Sequence, residues 1–415
     1  MTVLSARTVD AGVVDPALWP DIASVSEKPL RTRVAHALFT RAVNRLPLTV
    51  ELPDGRVLGR GGPVMTVRRP ESLEARLGAT GLVGFGEAYM AKDWETDDLA
   101  GVLTVFAASV ATVIPPWLQR FRRIAVLGQP KAERNSTKNS RSNISRHYDL
   151  SNDLFELFLD ETMTYSSALF DQADPTWDGL ADGQRRKIDR LLDGAGVHEG
   201  SDLLEIGTGW GELALRAAAR GARVTSVTLS SEQKELAERR IADAGLADRV
   251  TVELRDYRDQ QGQFDAIVSV EMIEAVGFDY WPVYFGTIDR LLRPGGKVAL
   301  QAITMPHDRM MASRNTYTWI HKYIFPGGII PSTQSIEDNV RVDTSMRVLT
   351  RHAMGPDYAS TLRLWRARFD SHADEVDALG FDETFRRMWS LYLAYSEAGF
   401  RSGYLDVHQY VLAKG

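Results

Sequence analysis

Four polar clusters fall immediately after short apolar runs, and each carries side chains able to hold or transform a small charged ligand. Leu203–Ile206 runs into Gly207-Thr-Gly-Trp-Gly211, with Glu205 just ahead of the glycines. Arg223–Leu229 ends in Thr228-Leu229-Ser230, and Gln233 follows on a helix start. Val250–Leu254 ends in Asp256-Tyr257, and Phe264–Val270 ends at Glu271. Glycines at alternate positions let the backbone turn sharply and let a ligand come close. A dinucleotide fingerprint has the spacing G-x-G-x-x-G and seats a pyrophosphate on a helix N-terminus. Here the spacing is G-x-G-x-G, and the Glu205 carboxylate repels a pyrophosphate but suits a cation such as the methionine end of S-adenosylmethionine. The pattern favours that cofactor over NAD; taken alone, the turn is also an ordinary strand-to-helix connection.

The runs that position these clusters are strands separated by helical stretches such as Glu212–Arg220. This alternation predicts an α/β fold with a parallel, Rossmann-like sheet that gathers polar groups at its strand C-termini. After the turn Pro294-Gly295-Gly296, a strand over Lys297–Ile303 leads into about forty residues rich in aromatics, with Tyr317, Trp319, Tyr323 and Phe325 interleaved with Ile320 and Ile324, then Pro326–Pro331. That insertion reads as a lid or acyl pocket, or as core packing. Asp357–Phe400 is helical in pattern and Val407–Leu412 closes as a strand.

The length of 415 residues, with 44% hydrophobic and 25% charged, fits a globular chain of two domains. A net charge of −6 marks no nucleic-acid binder, and the absence of cysteine excludes a disulfide framework and a thiolate metal site; no metal site is read. The N-terminus lacks a secretory pattern, so a cytoplasmic location is expected. Leu99–Gln119 carries no charge, but Pro115-Pro116 breaks it, and a buried helix of about four turns is expected instead of a membrane span. Residues 1–26 read as a mobile arm. Lys28–Val50 holds Lys28, Arg31, Arg33, Arg41 and Arg45 with no acid, an imperfect amphipathic helix that suits anionic lipid or a solvated face packed on its own domain. Thr49–Val67 predicts a small β unit and Glu71–Leu77 a helix. From Arg120 to Arg146 eight basic residues stand against one acid, beside Trp117 and Phe121, which suits a membrane surface or a solvated linker. The expected division is 1–127 as an N-terminal α+β, lipid-associated domain, 128–143 as a basic linker and 144–415 as the catalytic domain. Within the last, Arg146–Asp160 reads as a capped amphipathic helix.

Several of these stretches together resemble the cyclopropane-fatty-acyl-phospholipid synthase family, which includes the mycolic-acid methyltransferases. They are Gly84-Phe-Gly-Glu-Ala-Tyr-Met, His147-Tyr-Asp-Leu-Ser-Asn-Asp-Leu-Phe, Glu205-Ile-Gly-Thr-Gly-Trp-Gly, Val227-Thr-Leu-Ser-Ser-Glu-Gln, Asp256-Tyr-Arg-Asp and Lys322-Tyr-Ile-Phe-Pro-Gly-Gly. The resemblance implies a Rossmann-like S-adenosylmethionine-dependent methyltransferase domain with a smaller N-terminal domain, and an unsaturated membrane phospholipid as substrate. It implies cofactor contacts at Tyr148, Tyr165, Ser166, Gly207, Gly209, Thr228, Leu229, Gln233 and Tyr257, beside Glu205 and Asp256. It further implies peripheral contact with the inner face of the cell membrane, no nucleic acid, and a homodimer and a separate product-reducing enzyme among the partners.

The family's reaction sets an alkene against a sulfonium methyl and removes a proton afterwards, commonly with a bound bicarbonate. Its bicarbonate pocket maps onto Ser167, Glu274, Gln301 and Tyr358; this chain keeps the Glu and Tyr but has Ser for Cys and Gln for His, with Ala275 after Glu274. Glu271 stands where the family usually has Gly. A carboxylate there either replaces the anion as a built-in base or touches cofactor or solvent without catalytic work. The candidate catalytic residues are therefore Glu271, Glu274, Tyr358 and Gln301. The altered pocket favours a methylene-branched product, as in the actinobacterial 10-methylene-stearate synthases of tuberculostearic-acid formation. Cyclopropanation and a non-catalytic lipid- or cofactor-binding role are the alternatives.

Overall fold

A computed structural model describes residues 14–25, 28–113 and 151–415. Tyr148, the basic stretch Arg120–Arg146 and the linker 128–143 lie outside the described residues, as do residues 1–13 of the expected arm. Where that arm is described it is anchored: the Trp19 indole N–H donates to Asp382 at 2.8 Å, and Ile22 is buried.

The chain forms two compact units. The first joins the N-terminal residues to Thr316–Ile324 and Phe369–Ser402; the second takes the remainder. The linear division expected from the sequence did not anticipate that two later stretches return to the N-terminal elements.

In the first unit, α1 (Pro29–Val43) and α2 (Pro70–Thr80) each begin on a proline, where the missing N–H leaves no helical bond unmade. A four-stranded sheet has the order β2-β1-β3-β4, with β1 Thr49–Glu51, β2 Val57–Gly59, β3 Val64–Val67 and β4 Trp94–Glu95. Two further helices are α3 (Leu82–Met90) and α4 (Leu99–Val113). In α4 Leu99, Ala100, Val102 and Leu103 are buried, but the turns through Ser109 are half-buried or exposed, so the expected buried helix is buried only at its start. No helix among the described residues is long and apolar enough to cross a membrane. The Glu87 carboxylate of α3 accepts from Lys322 Nζ at 2.6 Å and from the Tyr323 hydroxyl at 2.9 Å. Two sequence motifs 235 residues apart thus form one structural clasp. Trp319 and Ile324 are buried in this unit, which favours core packing over a lid for that part of the aromatic insertion.

The second unit is built on a seven-stranded sheet ordered β10-β11-β9-β8-β5-β6-β7. Its strands are β5 Asp202–Ile206, β6 Arg223–Thr228, β7 Val250–Leu254, β8 Phe264–Val270, β9 Leu292–Thr304, β10 Met346–Ala353 and β11 Asp406–Lys414. The five from β5 to β9 are mutually parallel, and β11 pairs antiparallel with both β9 and β10. Alternate residues face opposite covers, which is why these strands read as continuous apolar runs. Leu203 packs with α5 (Leu180–Ala195), α6 (Glu212–Ala219) and α7 (Ser231–Asp243), while Leu204 packs towards the helix Trp281–Leu291. Strand order reverses between β5 and β8, the place where open α/β sheets bind ligands.

Two boundaries differ from expectation. β9 starts at Leu292 rather than Lys297, because the Pro294-Gly-Gly stretch stays in the strand beside an irregular register with β8 at Phe264/Ala266. The described part of Arg146–Asp160 holds only one short helix, Asn152–Glu156; its N-cap Ser151 makes no side-chain capping bond.

Candidate active site

The glycine-rich turn sits at the C-terminal end of β5, beside the switch point. Gly207, Gly209 and Gly211 have φ of 97°, 51° and 92°, all left-handed, and Gly211 opens α6. A side chain on Gly207 would meet Met272, whereas the face of Gly209 opens onto free space. Glu205 is buried, and the one hydrogen bond to its carboxylate among the described residues comes from the Ser226 hydroxyl at 2.5 Å, itself paired with Thr208. Burial pushes the Glu205 carboxyl up to about 8. A buried carboxylate with no basic partner among the described residues, next to an open glycine face, fits the ammonium of a cationic amino acid.

The neighbouring strand ends hold the other expected cofactor contacts. Thr228 Oγ1 donates to Gln233 Oε1 at 2.9 Å, and Ser230 caps α7 by accepting from the Gln233 N–H. Leu229 lies between them, half-buried. Asp256 grips Arg258 through both carboxylate oxygens; burial works to raise its carboxyl, but these bonds outweigh it and hold it below the ordinary range. The pairing pins the loop and, among the described residues, leaves Oδ2 a further lone pair for a ligand. Tyr257 packs edge-on against Tyr284, with ring centres 5.4 Å apart. Tyr165 lies among Phe155, Phe158 and Trp365. Ser166 is buried and accepts from Lys187 Nζ at 2.5 Å.

At the end of β8 the four candidate catalytic residues come together. Glu271 adopts φ 52°, a conformation L side chains rarely take, and its N–H donates to the Gln301 carbonyl at 2.8 Å. Its carboxylate accepts three hydrogen bonds: from the Ser167 N–H at 3.0 Å and Gln301 Nε2 at 2.8 Å on one oxygen, and from the Tyr358 hydroxyl at 2.7 Å on the other. Burial raises the Glu271 carboxyl, opposed chiefly by the charge of Lys187 and then by these bonds. Glu274 Oε1 accepts from the Ile303 N–H at 2.5 Å, while Oε2 is buried and accepts none among the described residues. Burial first, and repulsion from Glu271 second, push the Glu274 carboxyl up to about 8. Two carboxyl groups so placed share a tendency to keep one proton between them.

Two residues of this network were not foreseen. Gln409 Nε2 donates to Gln301 Oε1 at 3.0 Å and fixes which end of that amide faces Glu271. Lys187 is fully buried on α5 and carries the positive charge nearest in effect to Glu271. Its signal in the sequence was a lysine among Gln184, Ile188, Leu191, Leu192 and Ala195, the core face of that helix. Gln409 sits directly beside Gln301 in the β11/β9 register, a pairing no local pattern reveals.

Residues 135–410 match the family model described as mycolic acid cyclopropane synthetase. The chain is 53% identical to a tuberculostearic acid methyltransferase of Mycobacterium tuberculosis, over 100% of this chain and 99% of that one. It is 34% identical to the cyclopropane-fatty-acyl-phospholipid synthase of Escherichia coli, covering 92% and 93%. A solved mycolic acid cyclopropane synthase complexed with SAH and CTAB superposes with a TM-score of 0.61 at 31% identity, covering 69% of this chain and 99% of the other.

Proposed function

The chain belongs to the mycolic acid cyclopropane synthetase family, and from that premise we propose that it methylates the cis double bond of an unsaturated fatty acyl chain of a membrane phospholipid, giving a methylene-branched chain. The observation that carries the finer reading is the Glu271 carboxylate seated on three donors, Ser167 N–H, Gln301 Nε2 and Tyr358 Oη. S-adenosylmethionine supplies the methyl group as a cationic sulfonium. Gly207, Gly209, Glu205, Thr228 and Gln233 hold it by the turn and strand ends described above.

The residues then act on the acyl chain. The alkene π pair would form a C–C bond to the methyl as the S–CH3 bond breaks with its electron pair left on sulfur, giving neutral S-adenosylhomocysteine and positive charge on the adjacent alkene carbon. The ionised Glu271 stabilises that charge, and after a 1,2-hydride shift it takes a proton from the added methyl; the C–H electron pair becomes the exocyclic C=C. Without the hydride shift, loss of the same proton closes a cyclopropane. Gln301, Tyr358 and the Ser167 N–H hold Glu271 still throughout. Reduction of the methylene to a methyl branch needs a hydride and a proton, which a separate reductase provides. NMR of lipids from cells expressing the protein distinguishes the outcomes: vinylidene protons support the methylene product, cyclopropane protons overturn it, and unaltered lipids overturn the enzymatic reading.

Glu205 gives a test of cofactor binding. With its carboxyl near 8, the free protein holds the proton at neutral pH, and pairing with a cation expels it. Affinity for S-adenosylmethionine therefore rises with pH up to about 8, and calorimetry in buffers of different ionisation enthalpy registers proton release at pH 7. Glu205→Gln weakens binding by about 1–3 kcal/mol and flattens the pH dependence. Unchanged affinity in that variant overturns the assignment.

A further inference from the structure

A phospholipid substrate has to be met at a membrane surface, and the first unit presents a face built for that meeting. In α1, Leu30, Val34 and Leu38 recur every four residues and are 77%, 52% and 42% exposed. At 100° per residue these three span about 80° of the helix surface, with Ala37 and Arg41 on the same side. Arg31 and Arg33 flank the stripe on either side. None of Arg31, Arg33, Arg41 and Arg45 pairs with a carboxylate among the described residues, and Lys28–Val50 contains no acid. The opposite face is occupied: Val43 is buried, and Gly78 of α2 packs so closely that a side chain there would strike the Arg31–Thr32 backbone at 2.8–2.9 Å. The apolar stripe is therefore the outer face of a helix whose inner face is already packed.

Three large aliphatic side chains held in water in a row are costly in a soluble surface helix. Arginines around them exclude a purely apolar partner and complement an anionic one. A helix with an apolar stripe, basic flanks and low overall hydrophobicity lies in the headgroup plane of a bilayer. We infer that α1 is the membrane-docking element of this enzyme, seating Leu30, Val34 and Leu38 among acyl chains while Arg31, Arg33 and Arg41 meet the phosphates of anionic phospholipids. This rests on the phospholipid reading above and adds to it a component insensitive to salt, the apolar insertion, beneath a salt-sensitive one.

The test compares the full-length parent with Leu30→Ser/Val34→Ser/Leu38→Ser and with Arg31→Gln/Arg33→Gln/Arg41→Gln. Co-sedimentation uses phosphatidylcholine vesicles with and without phosphatidylglycerol, at low and high salt. The serine variant is expected to lose about 10²-fold in partitioning at both salt levels. The glutamine variant loses about fivefold per arginine at low salt only, and only on phosphatidylglycerol. All six side chains are exposed, so thermal unfolding stays at the parent value, and methyl transfer to unsaturated phospholipid in detergent micelles is retained by both variants. Parent-like sedimentation of the serine variant overturns the docking role. A shift from dimer to monomer in that variant, with vesicle binding unchanged, overturns it in favour of a contact between two copies. A parent that binds vesicles but does not methylate lipid in micelles strikes the proposed function and leaves the docking intact.

Discussion

Glu271→Gln is expected to lower turnover by at least about 10²-fold, the usual cost of losing a general base, while S-adenosylmethionine binding stays near the parent value. The amide keeps the size of the side chain and one hydrogen-bond acceptor, but it neither stabilises a cation by charge nor accepts a proton at neutral pH. Glu271→Gly separates the two roles further. It relieves a left-handed backbone that costs a side-chain residue about 1–2 kcal/mol, so lost activity is not lost folding. It also leaves Ser167 N–H, Gln301 Nε2 and Tyr358 Oη converging on an empty anion site. Bicarbonate should partly restore turnover to the Gly variant, have no effect on the Gln variant, and leave the parent unchanged. Single-turnover assays with and without bicarbonate decide the matter. A parent that depends on bicarbonate, or a Gln variant that turns over normally, shifts the base to Glu274.

The strands β5 to β8 were legible because buried parallel strands must be continuously apolar, and the polar residues ending them mark a ligand crevice. Val250–Leu254 and Phe264–Val270 appear with the expected limits. The meeting of Glu271, Gln301 and Tyr358 rested on family resemblance, since they come from the end of β8, the C-terminal part of β9 and a helix over Gly355–Ser371. Only tertiary packing brings Gln301 and Tyr358 each within 3 Å of Glu271. Asp256 shows another limit: nothing in the strand pattern showed that this strand-end acid pairs with the arginine two residues later. The return of Thr316–Ile324 and Phe369–Ser402 to the first unit was illegible, because a buried aromatic such as Trp319 gives no sign of which core it fills.

Lys187→Met is expected to move the acidic limb of the pH–rate profile upward by at least about one unit, the lower end of what an adjacent opposite charge contributes. The Lys187 charge is the largest influence holding the Glu271 carboxyl down against burial, and without it the base remains protonated to higher pH. Turnover at pH 7 falls and recovers at alkaline pH, which a merely structural role would not produce. Stability gives an independent reading. Burial pulls the Lys187 ammonium down to about 8 from an ordinary value of 10.5, although Glu271 and then Asp160 oppose the change. Between those values the unfolded chain binds the proton more readily than the folded one, so the stability of the parent rises with pH across that window. The gain is on the order of 3 kcal/mol at 1.36 kcal/mol per unit. The Met variant has no such proton, so the parent–variant difference in urea midpoints should shrink or reverse from pH 8 to 10.5 in the parent's favour. Lys187 then serves as a positioning residue: its Nζ holds Ser166, on the cofactor side, at 2.5 Å while its charge opposes the burial that raises the Glu271 carboxyl. One buried ammonium thereby ties the cofactor-side contact to the protonation state of the base. Superimposable pH–rate profiles for parent and variant would remove that link and leave Lys187 as a buried strut of α5.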